Sequence, residues 1–248
     1  MTPDPYATAD DAASRAHRRP VDRRHLAAAP AAIPSRAPID GNRVVLEPPE
    51  SRHDHLEPLW TATHADDDGR RTWEYMSYGP FPTLDEFDDW YAARASSTDP
   101  LWWAVTDATL GSAVGMAALL RIEPDNGVIE LGHIWFVPSV RATPPTTEAL
   151  YLLMRRAIEL GYRRLEWKCD ARNMMSRRAA LRLGFRYEGV FLDHMVVKDH
   201  NRDTAWYSLT REEWPPVQQA LEAWLSPENF DIAGRQRSRL RDLTRALW

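Results

Sequence analysis

Glu130 and His133 stand three residues apart in the apolar run ELGHIWFVP. Either side chain can take a proton: glutamate as a carboxylate, histidine as the imidazole whose unperturbed pKa lies nearest neutrality. Strand alternation turns residues three apart to opposite faces, so only one of the two is expected at a given reacting group. Plain alternatives exist for both, because a glutamate at a strand start is often solvated and a strand histidine is often only hydrogen-bonded. Glu130 is preferred. The stretch SVRATPPTTEAL follows directly. A strand, a tight loop and a helix start present free N–H groups and the positive end of a helix dipole, which suits an anion. Pro144 and Pro145 have no N–H to offer, yet proline fits the first helical turn. The amides of Arg141, Ala142, Thr143, Thr146 and Thr147 remain as donors, with three threonine hydroxyls and the Arg141 guanidinium. On this loop alone, Thr143 capping a helix that binds nothing is the favoured reading. Glu148 sits in the first turn, where an acid complements the helix end.

The elements that must position these groups follow from periodicity and punctuation. RVVLEP reads as a short strand, and HDHLEPLWTATHA carries apolar residues at helical spacing. TLDEFDDWYAARA is a helix with Thr83 as N-cap. The aromatic RTWEYMSYGPFP between them reads as a loop. LWWAVTD, SAVGMAALLRIEP and GVIELGHIWFVP are joined by connections too short for crossovers, so they read as antiparallel neighbours. TTEALYLLMRRAIELGY is a helix stopped at Gly161, and RRLEWKCD is a strand reached by that helical crossover. SRRAALRLGF is a second helix. RYEGVFLDHMVVKD and DTAWYSLT form a hairpin across HNR, REEWPPVQQALEAWL is a surface helix, and residues 235–248 suggest an amphipathic terminal helix. The class is α/β (α+β), with one mixed sheet flanked by helices.

That order, with the strand ELGHIWFVP, the loop SVRATPPTTEAL, the strand LEWKCD and the stretch NMMSRRAALRLGFRYEG, resembles the GNAT superfamily of acyl-CoA N-acyltransferases, nearest its RimJ/RimL-like branch. The resemblance spans about residues 41–214. Asn173, Ser176, Gly184 and Phe185 reproduce the spacing N-x-x-S-x7-G-F. The loop departs from the family's [Q/R]-x-x-G-x-[G/A]: Arg141 matches, Pro144 replaces the glycine and Thr146 the small residue. The resemblance implies a mostly antiparallel mixed sheet with a splayed parallel pair, residues 130–137 and 165–170, as the acyl-CoA cleft. It implies acetyl-CoA as co-substrate, held by the backbone of Trp135, Phe136 and Val137, by the loop residues Arg141, Ala142, Thr143, Thr146 and Thr147, and by Asn173 and Ser176. One β-strand amide would face the thioester oxygen. The catalytic candidates it implies are Glu130, His133 and Ser176, the last at the departing thiolate. Capping of the following helix by Asn173 or Ser176 is the plain alternative, and Arg177 and Arg178 would either approach a phosphate or be solvated.

The acceptor side is expected at Trp73, Tyr75 and Tyr78, which could wall a pocket or simply be core. The acceptor would be a primary amine on a protein N-terminus, an amino acid or a small molecule. The rival reading is a non-catalytic acyl-CoA-binding or interaction module that kept the fold. The formal net charge of −5 argues against a nucleic-acid partner. No apolar run is long enough to span a membrane, so a cytoplasmic protein is expected, with a homodimer left open. Cys169 is the single cysteine, which excludes an intramolecular disulfide and any CxxC knuckle. The spacing of His53, Asp54, His55, His64 and Asp66–Asp68 fits no standard metal site, so no metal is expected. Residues 1–40, rich in Ala, Pro, Arg and Asp, are expected as a flexible tail with a weak helix at 10–19, residues 41–225 as the acyltransferase domain, and residues 226–248 as a helical extension.

Overall fold

Runs of strands and runs of helices follow one another along the computed structural model, which describes Arg19, residues 30–49 and residues 55–248. The strands are β1 (Ile39–Asp40), β2 (Val44–Glu47), β3 (Leu101–Asp107), β4 (Ser112–Glu123), β5 (Val128–Phe136), β6 (Arg164–Asp170), β7 (Arg186–Val197) and β8 (His200–Thr210). The helices are α1 (Leu56–His64), α2 (Asp67–Arg70), α3 (Leu84–Ala95), α4 (Pro144–Glu159), α5 (Met174–Arg182), α6 (Trp214–Leu225) and α7 (Leu240–Arg245). The strands make a mixed, mostly antiparallel sheet in the order β1-β2-β3-β4-β5-β6-β8-β7, with β5 and β6 its parallel pair. No helix among the described residues is long and apolar enough to cross a membrane. The chain divides into two compact units.

One unit holds Ile33–Ile122 and Ile129–Leu160, hence β1 to β3, nearly all of β4 and β5, and α1 to α4. Its α3 forms where the sequence predicts: Thr83 Oγ accepts the Glu86 N–H at 3.2 Å, and Phe87, Trp90 and Tyr91 fall on one buried face. Full burial of Phe87 alone stabilises by about 2–3 kcal/mol. On β3, Trp102 pairs in register with Ala118. Trp103 points the other way and donates its indole N–H to the Ala37 carbonyl at 3.3 Å. In α4, Glu148 is buried and accepts the backbone N–H groups of Asn42, at 3.2 Å, and Arg43, at 2.6 Å. This fastens the turn between β1 and β2 to the helix. A side chain at Gly41 would lie 2.9 Å from the same carboxylate, which is why glycine stands there.

The other unit holds Glu123–Val128, Gly161–Trp248 and the described residues up to Ala32. The turn between β7 and β8 sits at Lys198 and Asp199, both with positive φ, rather than at HNR, whose residues belong to β8. Helix α6 buries Trp214, Val217, Leu221 and Trp224, so it is a core element with one wet face, not merely a surface helix. The terminal helix α7 docks by Thr244, whose hydroxyl donates to the Arg182 carbonyl at 3.2 Å. One of the carbonyls left open at the end of α5 is satisfied in this way.

The flexible tail expected through residue 40 is corrected at its C-terminal end. Ala31 N–H bonds to the Pro124 carbonyl at 3.1 Å, Pro34 is buried, the Arg36 guanidinium donates to the Ser97 carbonyl, and Ile39 pairs with Leu46. Arg19 is held by Glu213, Glu188 and Ser208. The helix expected at 10–19 lies outside the described residues apart from Arg19, as do His53 and Asp54.

Candidate active site

The alternation expected to separate Glu130 from His133 fails, because His133 has φ +50° and interrupts β5 with a left-handed residue. Before it, a side-chain carbon at Gly132 would meet Leu120 Cδ2 at 2.9 Å and Glu130 Oε1 at 3.3 Å, so Gly132 and Glu130 face with Leu120. Leu120 lies two residues from Ala118, the register partner of Trp102, and shares its face. After the interruption, the His133 ring packs on Trp102 at 4.6 Å between centroids. Glu130 and His133 therefore lie on one face of β5, a correction of the sequence expectation, and the bulge is its cause.

That face is an aromatic wall. Trp135 packs on Trp73 at 5.0 Å, Tyr78 on Trp90 at 4.6 Å and on His133 at 5.7 Å. Trp73 is fully buried and its indole N–H donates to the Thr63 carbonyl, so it backs the wall as core. Tyr75 is half-buried on the same loop. The Tyr78 ring is partly exposed, yet its hydroxyl is buried and has no hydrogen-bond partner among the described residues. Burial pushes that hydroxyl well above its usual pKa, so it carries its proton; the Trp135 N–H faces it without completing a hydrogen bond. Glu130 is buried, with Arg121 Nε 3.1 Å from its Oε2. Three wall residues went unnoticed in the sequence: Trp90, Trp102 and Arg94. The signal was present, since Trp90 and Arg94 are four apart in α3 and so neighbours on its surface.

The loop after β5 is tied to itself. Arg141 Nε donates to the Phe136 carbonyl at 3.2 Å, its Nη2 to Thr72 Oγ at 2.7 Å, and its Nη1 faces Asp68 at 3.6 Å. Thr143 Oγ donates to the Val140 carbonyl, and those of Thr146 and Thr147 to the Thr143 carbonyl. All three hydroxyl protons are committed to the backbone, and Thr146 and Thr147 are buried. Thr143 holds the N-cap position of α4 without a side-chain cap bond. The Thr147 N–H closes the first helical bond, to the Thr143 carbonyl. Of the five amides expected as donors, those of Ala142, at φ +59°, and Thr146 make no backbone bond among the described residues. On β5 itself, Val137 N–H donates to the Val114 carbonyl of β4 at 2.9 Å, so alternation turns the Phe136 amide the other way. The Trp135 carbonyl lies so near β4 that a side chain at Gly115 would stand 2.3 Å from it.

In the other unit, Asn173 Oδ1 accepts the Ser176 N–H at 3.0 Å, the capping alternative for α5. Ser176 Oγ accepts the Trp167 indole N–H at 3.0 Å, and Cys169 on the same strand as Trp167 is a buried free thiol. Burial pushes that thiol up to about 11, which leaves it an unreactive core group. Arg177 is buried, with Nε on the Tyr207 hydroxyl and Nη1 on the Ala171 carbonyl, so it is neither solvated nor turned to a phosphate. His55 bonds Tyr91 and Glu47; His64 bonds the Trp60 carbonyl and the Phe81 N–H.

The model of the acetyltransferase (GNAT) domain matches residues 43–186, more than half of the chain. A GCN5-related N-acetyltransferase from Brucella melitensis is 44% identical, with 87% of this chain and 97% of that one covered at a TM-score of 0.83. Two more distant structures share the fold. Microcin C7 self immunity acetyltransferase MccE, in complex with acetyl-CoA and AMP, is 18% identical with 68% and 93% covered at a TM-score of 0.59. Mycobacterium smegmatis RimJ, in complex with CoA-disulfide, is 20% identical with 73% and 88% covered at a TM-score of 0.60. No curated protein matches the chain. The strand order with its parallel pair, the loop opening into α4 and these matches agree: the chain belongs to the GNAT family of acetyltransferases.

Proposed function

We propose that this protein acetylates a primary amine by direct attack of the amine on the thioester carbonyl of acetyl-CoA, with Glu130 as the base. The observation that carries the reading is the bulge at His133, which sets a buried carboxylate and an imidazole on the same aromatic face. Glu130 takes a proton from the ammonium or from the attacking amine, directly or through water. The nitrogen bonds to the carbonyl carbon, and the oxygen that becomes an oxyanion is received by the Phe136 amide, the β5 N–H turned away from β4. Collapse breaks the C–S bond and releases the CoA thiolate. A free thiol has a pKa of about 8.5, so this leaving group needs little acid help. Ser176, already engaged with Trp167, is a positioning residue in this account, as is the α5 cap Asn173. His133 orients the acceptor.

The pyrophosphate is held by the free amides of Ala142 and Thr146 at the start of α4, with the helix dipole adding to them. Arg141 keeps the loop in posture through Phe136, Thr72 and Asp68. Protein N-termini, amino acids and small amines are the acceptor classes this site would serve. The test is a thermal melt with acetyl-CoA followed by thiol release with an amine panel. Stabilisation and thiol release together support the reading. Stabilisation without release on any amine would point instead to a non-catalytic acyl-CoA-binding module.

A further inference from the structure

Arg94 is a charged group on the aromatic wall that the proposed chemistry leaves unused. Its guanidinium lies 4.2 Å from the Trp90 ring centroid, 5.6 Å from that of Trp102 and 5.8 Å from that of Tyr78. Of the five N–H donors of an arginine, one makes a hydrogen bond among the described residues, from Nη1 to the Trp90 carbonyl at 2.6 Å. In the same unit Arg43, Arg121 and Arg141 each face a carboxylate: Glu148, Glu130 and Asp68. Arg94 faces none among the described residues. Burial lowers its pKa. The fold thus keeps a half-buried cation without an anion, which is unfavourable unless something compensates it.

Its location says what the compensating group belongs to. Tyr78 and Trp102, two of the three rings under Arg94, are also rings that His133 contacts. An acceptor whose amine lies on the Glu130–His133 face has Arg94 across the same two rings. A guanidinium held over Trp90 with Nη1 on the Trp90 carbonyl has its Nε and Nη2 donors left, a pair that matches a planar carboxylate in a two-point contact.

We infer that the acceptor is a primary amine that also carries a carboxylate, and that Arg94 binds the carboxylate and so determines acceptor specificity. The inference rests on the amine-acetyltransferase reading above. Free amino acids, longer ω-amino acids and peptides with a free C-terminus share this chemistry.

The experiment compares matched pairs in thiol release from acetyl-CoA: each amino acid against its amide, each ω-amino acid against the n-alkylamine of equal length, and dipeptides with free against amidated C-termini. In the native protein the carboxylate member of at least one class should show kcat/KM about 10- to 100-fold above its neutral partner, and the class that does so identifies the source. Arg94→Gln should bring that ratio to about one, and Arg94→Lys should keep part of it. Unchanged melting temperatures would show that both variants are folded. Turnover with no preference for the carboxylate, or a preference that survives Arg94→Gln, overturns the inference. So does an acetyl-CoA KM raised by Arg94→Gln with the acceptor ratio intact. Absence of thiol release with every pair is the separate failure of the amine-acetyltransferase reading, and the inference falls with it.

Discussion

Glu130 and His133 occupy the same face of β5 because His133 itself carries the left-handed backbone that interrupts the strand. Asparagine tolerates that conformation and a β-branched residue does not. His133→Val should cost about 1–3 kcal/mol in chemical denaturation, and His133→Asn clearly less. If the two variants are equally stable, the bulge is not imposed at this residue. In kinetics, His133→Asn should raise the amine KM more than it lowers kcat, as expected of a group that orients the acceptor.

Arg141 should act through loop posture. Arg141→Ala should raise the acetyl-CoA KM by about tenfold. Thr72→Val, which removes only the acceptor of Arg141 Nη2, should raise it in the same direction. A normal KM for Thr72→Val beside a raised one for Arg141→Ala would mean that the guanidinium meets the phosphates itself.

Glu148 should matter to stability rather than to cofactor affinity. Glu148→Ala strips the acceptor from the N–H groups of Asn42 and Arg43. The expected loss is about 1–3 kcal/mol by denaturant titration, with acetyl-CoA KM within about twofold of native. Unchanged stability with a shifted KM would place the carboxylate in the phosphate site.

His64 gives the fold a pH dependence of known sign. Burial holds its pKa below 6.5, while the Trp60 carbonyl partly opposes the shift. Above pH 6.5 the group is neutral whether the chain is folded or unfolded, so it costs nothing. As pH falls below 6.5 the unfolded chain takes up the proton first, and stability is lost until the folded pKa is passed. The melting temperature should fall between pH 7 and 5.5, and His64→Gln should flatten that slope. An equal slope in the variant would assign the effect to other groups.

Much of this architecture was legible in the sequence. Thr83 and the acidic turn after it marked α3, and the short connections from LWWAVTD to GVIELGHIWFVP marked the antiparallel strands, because period and turn chemistry are local. The bulge at His133 was not legible, since histidine in an alternating strand gives no sign of positive φ. Nor were the commitments of Arg141, Thr146 and Thr147, which depend on carbonyls and side chains whose approach is set by packing. The attachment of residues 31–40 was missed because it rests on scattered single bonds, from Ala31 N–H to Pro124, from the Arg36 side chain to Ser97 and from the Trp103 indole to Ala37. Composition does not register such bonds.

The central claim is that Glu130 removes the proton during acetyl transfer. Its most direct measurement is single-turnover acetylation of an accepted amine by Glu130→Gln, alongside acetyl-CoA binding to the same variant. The account predicts a chemical step slowed about 10²- to 10⁴-fold with acetyl-CoA Kd within about twofold of native. A chemical step at the native rate would contradict it.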